Sequence, residues 1–102
     1  MKVLWAPLAI ERAYEAATFI AADKPDAALR WLDGLFHATD RLQRFPQSGR
    51  VVPEIDLPAY REIIYGRSYR VIYRVERSRV SILTVRNLAQ RLDLTEVFAA
   101  GE

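Results

Sequence analysis

Tyr69-Arg70-Val71-Ile72-Tyr73-Arg74-Val75-Glu76-Arg77-Ser78-Arg79-Val80-Ser81-Ile82-Leu83-Thr84-Val85 decides the fold. Tyr69, Val71, Tyr73 and Val75 alternate with Arg70, Ile72, Arg74 and Glu76, and a second β-rich run, Val80 to Val85, follows at once. A period of two in β-branched and aromatic residues predicts strands, and the tight Arg77-Ser78 connection makes them antiparallel neighbours. Centring the hairpin there sets Arg70 opposite Val85, Arg74 opposite Ser81 and Tyr73 opposite Ile82. Val71, Tyr73 and Val75 then share a face with Val80 and Ile82, which suits a core. Arg70, Ile72, Arg74 and Leu83 share the other, a mixed face open to a ligand or partner.

Working upstream, Arg61 to Tyr65 adds a third strand across the Gly66-Arg67-Ser68 turn, giving an antiparallel meander. Gln47 to Tyr60 holds Ser48, Gly49, Pro53 and Pro58 and predicts a loop with little regular structure. Earlier the period lengthens. Ala28, Trp31, Leu32, Leu35, Thr39 and Leu42 form one helix face, started at Asp23 and Pro25 and closed by Phe45-Pro46. Leu8, Ile10, Ala13, Tyr14, Ala17 and Ile20 form another, from Pro7 to about Ala22. Lys2 to Trp5 reads as an opening strand. The order is β-α-α-β-β-β: an α+β fold whose helical hairpin packs on one face of a small antiparallel sheet. Its 102 residues suit a single domain spanning 1–102.

Composition narrows the function. Hydrophobic residues make up 51% and charged residues 27%, which excludes disordered and collagen-like chains. With no cysteine, disulfides, thiolate metal sites and a cysteine nucleophile are excluded. No apolar run approaches the ~20 residues of a membrane helix, and Met1 to Pro7 lacks a signal-peptide core. A cytoplasmic protein is the expectation. The formal charge of +2 is unevenly spread: residues 61–91 carry eight arginines against Glu62 and Glu76, whereas residues 1–60 carry seven bases and eight acids. Thirteen of the fifteen bases are arginine, whose planar fork suits phosphate and carboxylate. A concentrated basic half attracts an anionic partner; the plainer reading is arginine alternating on a solvated sheet face.

Conventional catalytic sets are thin. His37, the one histidine, falls opposite the core line of its helix and reads as solvated. Asp33 and His37 are four apart, but no third ligand is near, so no metal or cofactor is expected. The glycines are isolated, which excludes a phosphate loop, and the serines lack a neighbouring base. Arginines on a sheet can neutralise a phosphate during attack by a ribose 2′-OH, or bind an acidic surface without chemistry. Trp5, Trp31 and Phe36 are candidates for lining a partner groove, although aromatics at helical spacing are more often core.

Leu42-Gln43-Arg44-Phe45-Pro46-Gln47-Ser48-Gly49-Arg50, Tyr60-Arg61-Glu62-Ile63-Ile64-Tyr65, Tyr69 to Val75 and Val80 to Val85, in that order, resemble the ParE/RelE toxin superfamily, known from plasmid stabilisation systems. The resemblance spans nearly the whole chain. It implies the toxin of a bacterial type II toxin–antitoxin pair, held by a cognate ParD-like antitoxin in a hetero-oligomer. RelE-like members cut messenger RNA on the ribosome; ParE-like members inhibit DNA gyrase. On the nuclease branch, Arg70 matches the arginine used on the scissile phosphate, Arg61 falls where a lysine stands, and Arg86 or Arg91 supplies a further arginine. The catalytic set would then be Arg61, Arg70 and Arg91. Three departures oppose that branch. Ile63 replaces a second lysine, Asn87 stands where many relatives carry histidine, and Phe98 lacks the hydroxyl of a tyrosine. Without a proton-transfer group a nuclease forgoes a factor of about 10²–10⁴. The resemblance therefore favours a ParE-like gyrase inhibitor, not an enzyme, contacting its target through Arg61, Arg70, Arg86 and Arg91. The alternatives are a ribosome-dependent endoribonuclease and a degenerate member that only binds antitoxin.

Overall fold

In a computed structural model, which describes residues 1–101, the chain runs β1 (Lys2–Trp5), α1 (Pro7–Asp23), α2 (Pro25–Ala38), a 3₁₀ turn (Asp40–Gln43), β2 (Arg50–Val51), β3 (Tyr60–Tyr65), β4 (Tyr69–Val75), β5 (Arg79–Asn87) and α3 (Leu94–Ala100). Both long helices begin at a proline, where the missing N–H costs nothing. Lys24 alone separates them; its N–H closes α1 on the Ile20 carbonyl at 2.8 Å. A one-residue joint forces an αα-hairpin.

The sheet has five strands in the order β1-β5-β4-β3-β2. The meander β3-β4-β5 is antiparallel as expected, but β1 pairs with β5 in parallel, so the sheet is mixed. Strand direction is not encoded in four residues; it follows from where α1 must start. The stretch expected to be loop contributes β2, a two-residue strand that pairs Val51 with Arg61 at the far edge.

The expected register holds near the β4–β5 turn, where Tyr73 faces Ile82 and Arg74 faces Ser81. It then slips, because Ile72 faces Thr84 and Leu83 is the extra residue of a bulge. Arg70 consequently lies opposite Arg86, not Val85. A bulge inverts the alternation beyond it. Val85 turns toward the helices, and Thr84 and Arg86 turn to the opposite face.

Two cores result. Between helices and sheet lie Ala9, Ala13, Leu35, Leu42, Ile63, Val71, Tyr73, Val80, Ile82 and Val85. On α1 the buried stripe is Ala9, Ala13 and Ala17; Ile10 and Tyr14, expected on the core face, are exposed. Alanines let α1 lie close against α2 and β5, which displaces the larger side chains to its flank. Ala28 and Leu35 of α2 are buried as expected, as are Thr39 and Leu42, but α2 ends at Ala38, short of the expected Phe45-Pro46, and Leu42 lies in the 3₁₀ turn. Trp5 and Phe36 meet edge to face, and Trp31 does the same with Tyr65 and Tyr69, all packed on or beside this core. Trp5 also lines a shallow cleft of about 210 Å³ with Leu4, Pro7 and Arg79.

The second sheet face is covered as well. Ile72 and Leu83 pack with Val52, Leu92 and Val97, flanked by Ile55, Tyr60 and Ala100. The cover is α3 and the 52–60 segment, so the expected open face is a second small core. Asp93 caps α3, its side chain accepting from the Glu96 N–H at 3.2 Å. An acidic residue three positions before a glutamate, ahead of Val97 and Phe98, is a helix-start pattern.

Candidate functional site

Four arginines were singled out, and the structure gives each a different environment. Arg70 is 6% exposed. Its Nε donates to Glu62 at 2.6 Å, and Nη1 and Nη2 donate to the two oxygens of Glu54 at 2.7 and 2.8 Å. Glu62, 1% exposed, also accepts from Arg50 Nε at 2.5 Å. Arginine and carboxylate thus alternate along Arg50–Glu62–Arg70–Glu54, which ties β2, β3 and β4 to the loop after β2. Bonding to Arg70 holds the Glu54 carboxyl at a pKa of about 2, and the same partner drives the Arg70 pKa upward.

Arg61 is a latch. Its Nε donates to the Pro58 carbonyl at 2.9 Å and its Nη1 to the Gly49 carbonyl at 3.0 Å, closing the loop on itself. Gly49 is required at this junction. A Cβ there would come 2.5 Å from the Glu62 carbonyl oxygen and 2.6 Å from the Tyr73 hydroxyl, to which the Gly49 N–H donates. Burial pushes the Tyr73 hydroxyl above the usual phenol range, so it stays protonated at neutral pH.

Arg86 belongs to a second cluster, centred on Glu96 of α3. Arg12 of α1 donates to Glu96 through Nε at 2.7 Å and through Nη2, while Thr84 approaches at 3.3 Å and Arg86 Nη1 at 3.7 Å. Arg86 Nη2 donates to the Arg91 carbonyl at 2.8 Å. Among the described residues, Arg86 Nε is a buried donor with no acceptor. A cleft of about 530 Å³ opens here between α1 and the end of β5. It exists because β1 reaches only from Arg79 to Ile82, leaving the rest of that β5 edge without a strand neighbour among the described residues. Phe19, Tyr69 and Val85 give the cleft apolar wall; Arg12, Arg86 and Gln90 give it polar wall. Arg91 is exposed on the loop after β5 and has no ionic partner among the described residues.

The structure therefore sets the four in three places. Arg70 and Arg86 are opposite one another on the sheet, Arg61 is occupied at the far edge, and Arg91 alone presents a free guanidinium. The positions weighed for proton transfer are also occupied. The Asn87 side-chain oxygen accepts from the Ala89 N–H at 2.8 Å, and Phe98 packs edge to face on Tyr60 at 5.5 Å. His37 is exposed, 3.3 Å from Asp40 and 3.7 Å from Asp33. No group of three or more histidines or acids suited to a metal occurs among the described residues. No helix among them is long and apolar enough to cross a membrane.

Sequence reasoning missed the carboxylates. Glu54, Glu62 and Glu96 fix Arg50, Arg70, Arg12 and Arg86. The available signal was an acid placed inside the otherwise apolar strand run Glu62-Ile63-Ile64, which calls for a buried cation.

Comparison with known proteins identifies a family and a shared fold. A profile described as "ParE toxin of type II toxin-antitoxin system, parDE" matches residues 3–92. The candidate toxin Y4kP of Sinorhizobium fredii is 33% identical over 91 residues, covering 88% of this chain and 91% of that protein. A solved structure described as the chromosomal ParDE TA system from P. aeruginosa superposes with a TM-score of 0.73 at 19% identity, over 85% of this chain and 95% of that one. At that identity the likeness is one of fold.

Proposed function

The chain belongs to the ParE toxin family of type II toxin–antitoxin systems, and on that premise we propose that it arrests growth by inhibiting DNA gyrase and is neutralised by a cognate ParD-like antitoxin. The observation that carries this over messenger cleavage is the pairing of Arg70. A nuclease of the RelE type needs that arginine on a phosphate, and here its donor edges are taken by Glu54 and Glu62. The carboxylate beside it cannot replace the missing base. With a pKa of about 2, Glu54 is far from the near-neutral value that efficient proton abstraction requires. Inhibition by binding needs only a complementary surface.

On this reading the four arginines divide their work. Arg91 makes the direct target contact and Arg86 supports it from the cleft. Arg61 and Arg70 hold the framework that presents them. The test is induction of the toxin without antitoxin, with DNA replication and protein synthesis followed in parallel, and a supercoiling assay on purified gyrase. Replication is expected to fail first, and supercoiling to be blocked or cleaved DNA to accumulate. Messenger cleaved at codon boundaries, with supercoiling intact at saturating toxin, overturns the proposal.

A further inference from the structure

The turn between β3 and β4 carries a residue that its backbone does not favour. Gly66 has φ +59° and Arg67 has φ +69°, both in the left-handed region. Glycine takes that conformation freely and asparagine readily, whereas a long side chain there is disfavoured. Arg67 is exposed and has no ionic partner among the described residues, so no ion pair there offsets the strain. Arg12, Arg50, Arg70 and Arg79, by contrast, each bond a carboxylate.

The tip also has neighbours suited to binding. The Leu88 N–H donates to the Ser68 carbonyl at 2.7 Å, which fastens the loop bearing Leu88 and Arg91 to the turn. Tyr69, the first residue after the turn, lines the cleft with Phe19, which is 77% exposed. The unsatisfied Arg86 Nε lies in the same wall. The cleft, part apolar and part polar, is thus lined by Tyr69 and Gln90, which stand two residues and one residue from Arg67 and Arg91, two arginines without an ionic partner among the described residues.

We propose that Arg67, Arg91 and the adjoining cleft form the grip on the toxin's target, and that the occupant is an acidic protein segment that seats an apolar side chain against Phe19 and Tyr69. The inference rests on the reading of the chain as a target-binding toxin and adds a site to it. Composition selects protein over nucleic acid. Arginine beside exposed Phe19 and Leu88 is the make-up of a protein interface, where lysine is depleted; a phosphate track would not call for exposed leucine.

Arg67→Asn and Arg67→Gly separate function from folding, because each relieves the left-handed strain while removing the charge. Both are expected to melt at or above the unsubstituted toxin's temperature. Both are also expected to need about tenfold more protein for half-inhibition of supercoiling by purified gyrase, as loss of an interface arginine commonly costs. Arg67→Asn combined with Arg91→Gln should abolish growth arrest on induction without antitoxin. If the unsubstituted toxin leaves supercoiling intact, the gyrase assignment fails alone, and growth arrest still judges the surface. Full arrest by the double variant overturns the inference, as does a lower melting temperature for Arg67→Asn. Binding of the toxin to a 20-base-pair DNA duplex at physiological salt, lost in Arg67→Asn, would overturn the protein occupant.

Discussion

Replacing Arg70 with alanine should destabilise the fold of the toxin and not strip away a target contact. The substitution leaves Glu62, whose side chain is 0% exposed, with Arg50 as its only ionic partner, and leaves Glu54 with none among the described residues. Breaking a buried ion pair from one side costs about 3–5 kcal/mol, because the remaining charge is stranded in a poorly solvating interior. Arg50, itself well exposed, keeps its bond to Glu62 and admits water, so the lower end of that range applies. About 3 kcal/mol is a large fraction of the 5–15 kcal/mol that holds a domain of this size together. At about 4–8 °C per kcal/mol, the melting temperature should fall by about 12–24 °C. Thermal and urea unfolding followed by circular dichroism would measure this, with an unchanged m-value showing that stability and not compactness has changed. The double substitution Arg70→Met with Glu62→Leu should recover much of the loss, since an apolar pair of similar volume carries no desolvation cost. A melting temperature for Arg70→Ala within about 3 °C of the unsubstituted toxin, with toxicity gone, would refute this reasoning and return Arg70 to the target surface.

Three further outcomes follow from the same geometry. Gly49→Ala should destabilise by about 1–3 kcal/mol, because its Cβ meets sheet backbone at the Glu62 carbonyl and must displace it; chemical denaturation checks this. Asp93→Ala removes the α3 cap and should lower stability by about 1 kcal/mol, with faster hydrogen exchange in α3 and little change in β4. For acid stability the sign follows from Glu54. Its folded pKa, about 2, lies below its ordinary value, so its contribution is fully present above about pH 4.5 and is lost as the pH falls toward 2. Unfolding titrations between pH 6 and 2 should show this limb, and Glu54→Gln should flatten it.

Local pattern carried most of the framework. Alternation over 69–85 with the helical stripes of α1 and α2 determined an α+β fold, because a period of two or of 3.6 fixes which residues point inward together. The start of α3 is also encoded locally, in Asp93 and Glu96. The site was not legible in this way. The bulge at Leu83 is one residue among nine, invisible to a periodicity argument, yet it decides that Arg86 and not Val85 stands beside Arg70. The pairing of Glu62 with Arg70, and of Glu96 with Arg12 across 84 residues, arises only when strands and helices have docked.

From its order of residues alone, this protein is a basic, arginine-rich α+β chain with the marks of a toxin family and few groups fit for proton transfer. Which arginines face outward is a tertiary decision. A charge is free or bound according to whether folding brings a carboxylate within about 3 Å of it, and sequence distance does not report that separation. Docking of α3 and of the loop after β2 onto the second sheet face buried Arg70, whereas Arg67 and Arg91 have no ionic partner among the described residues.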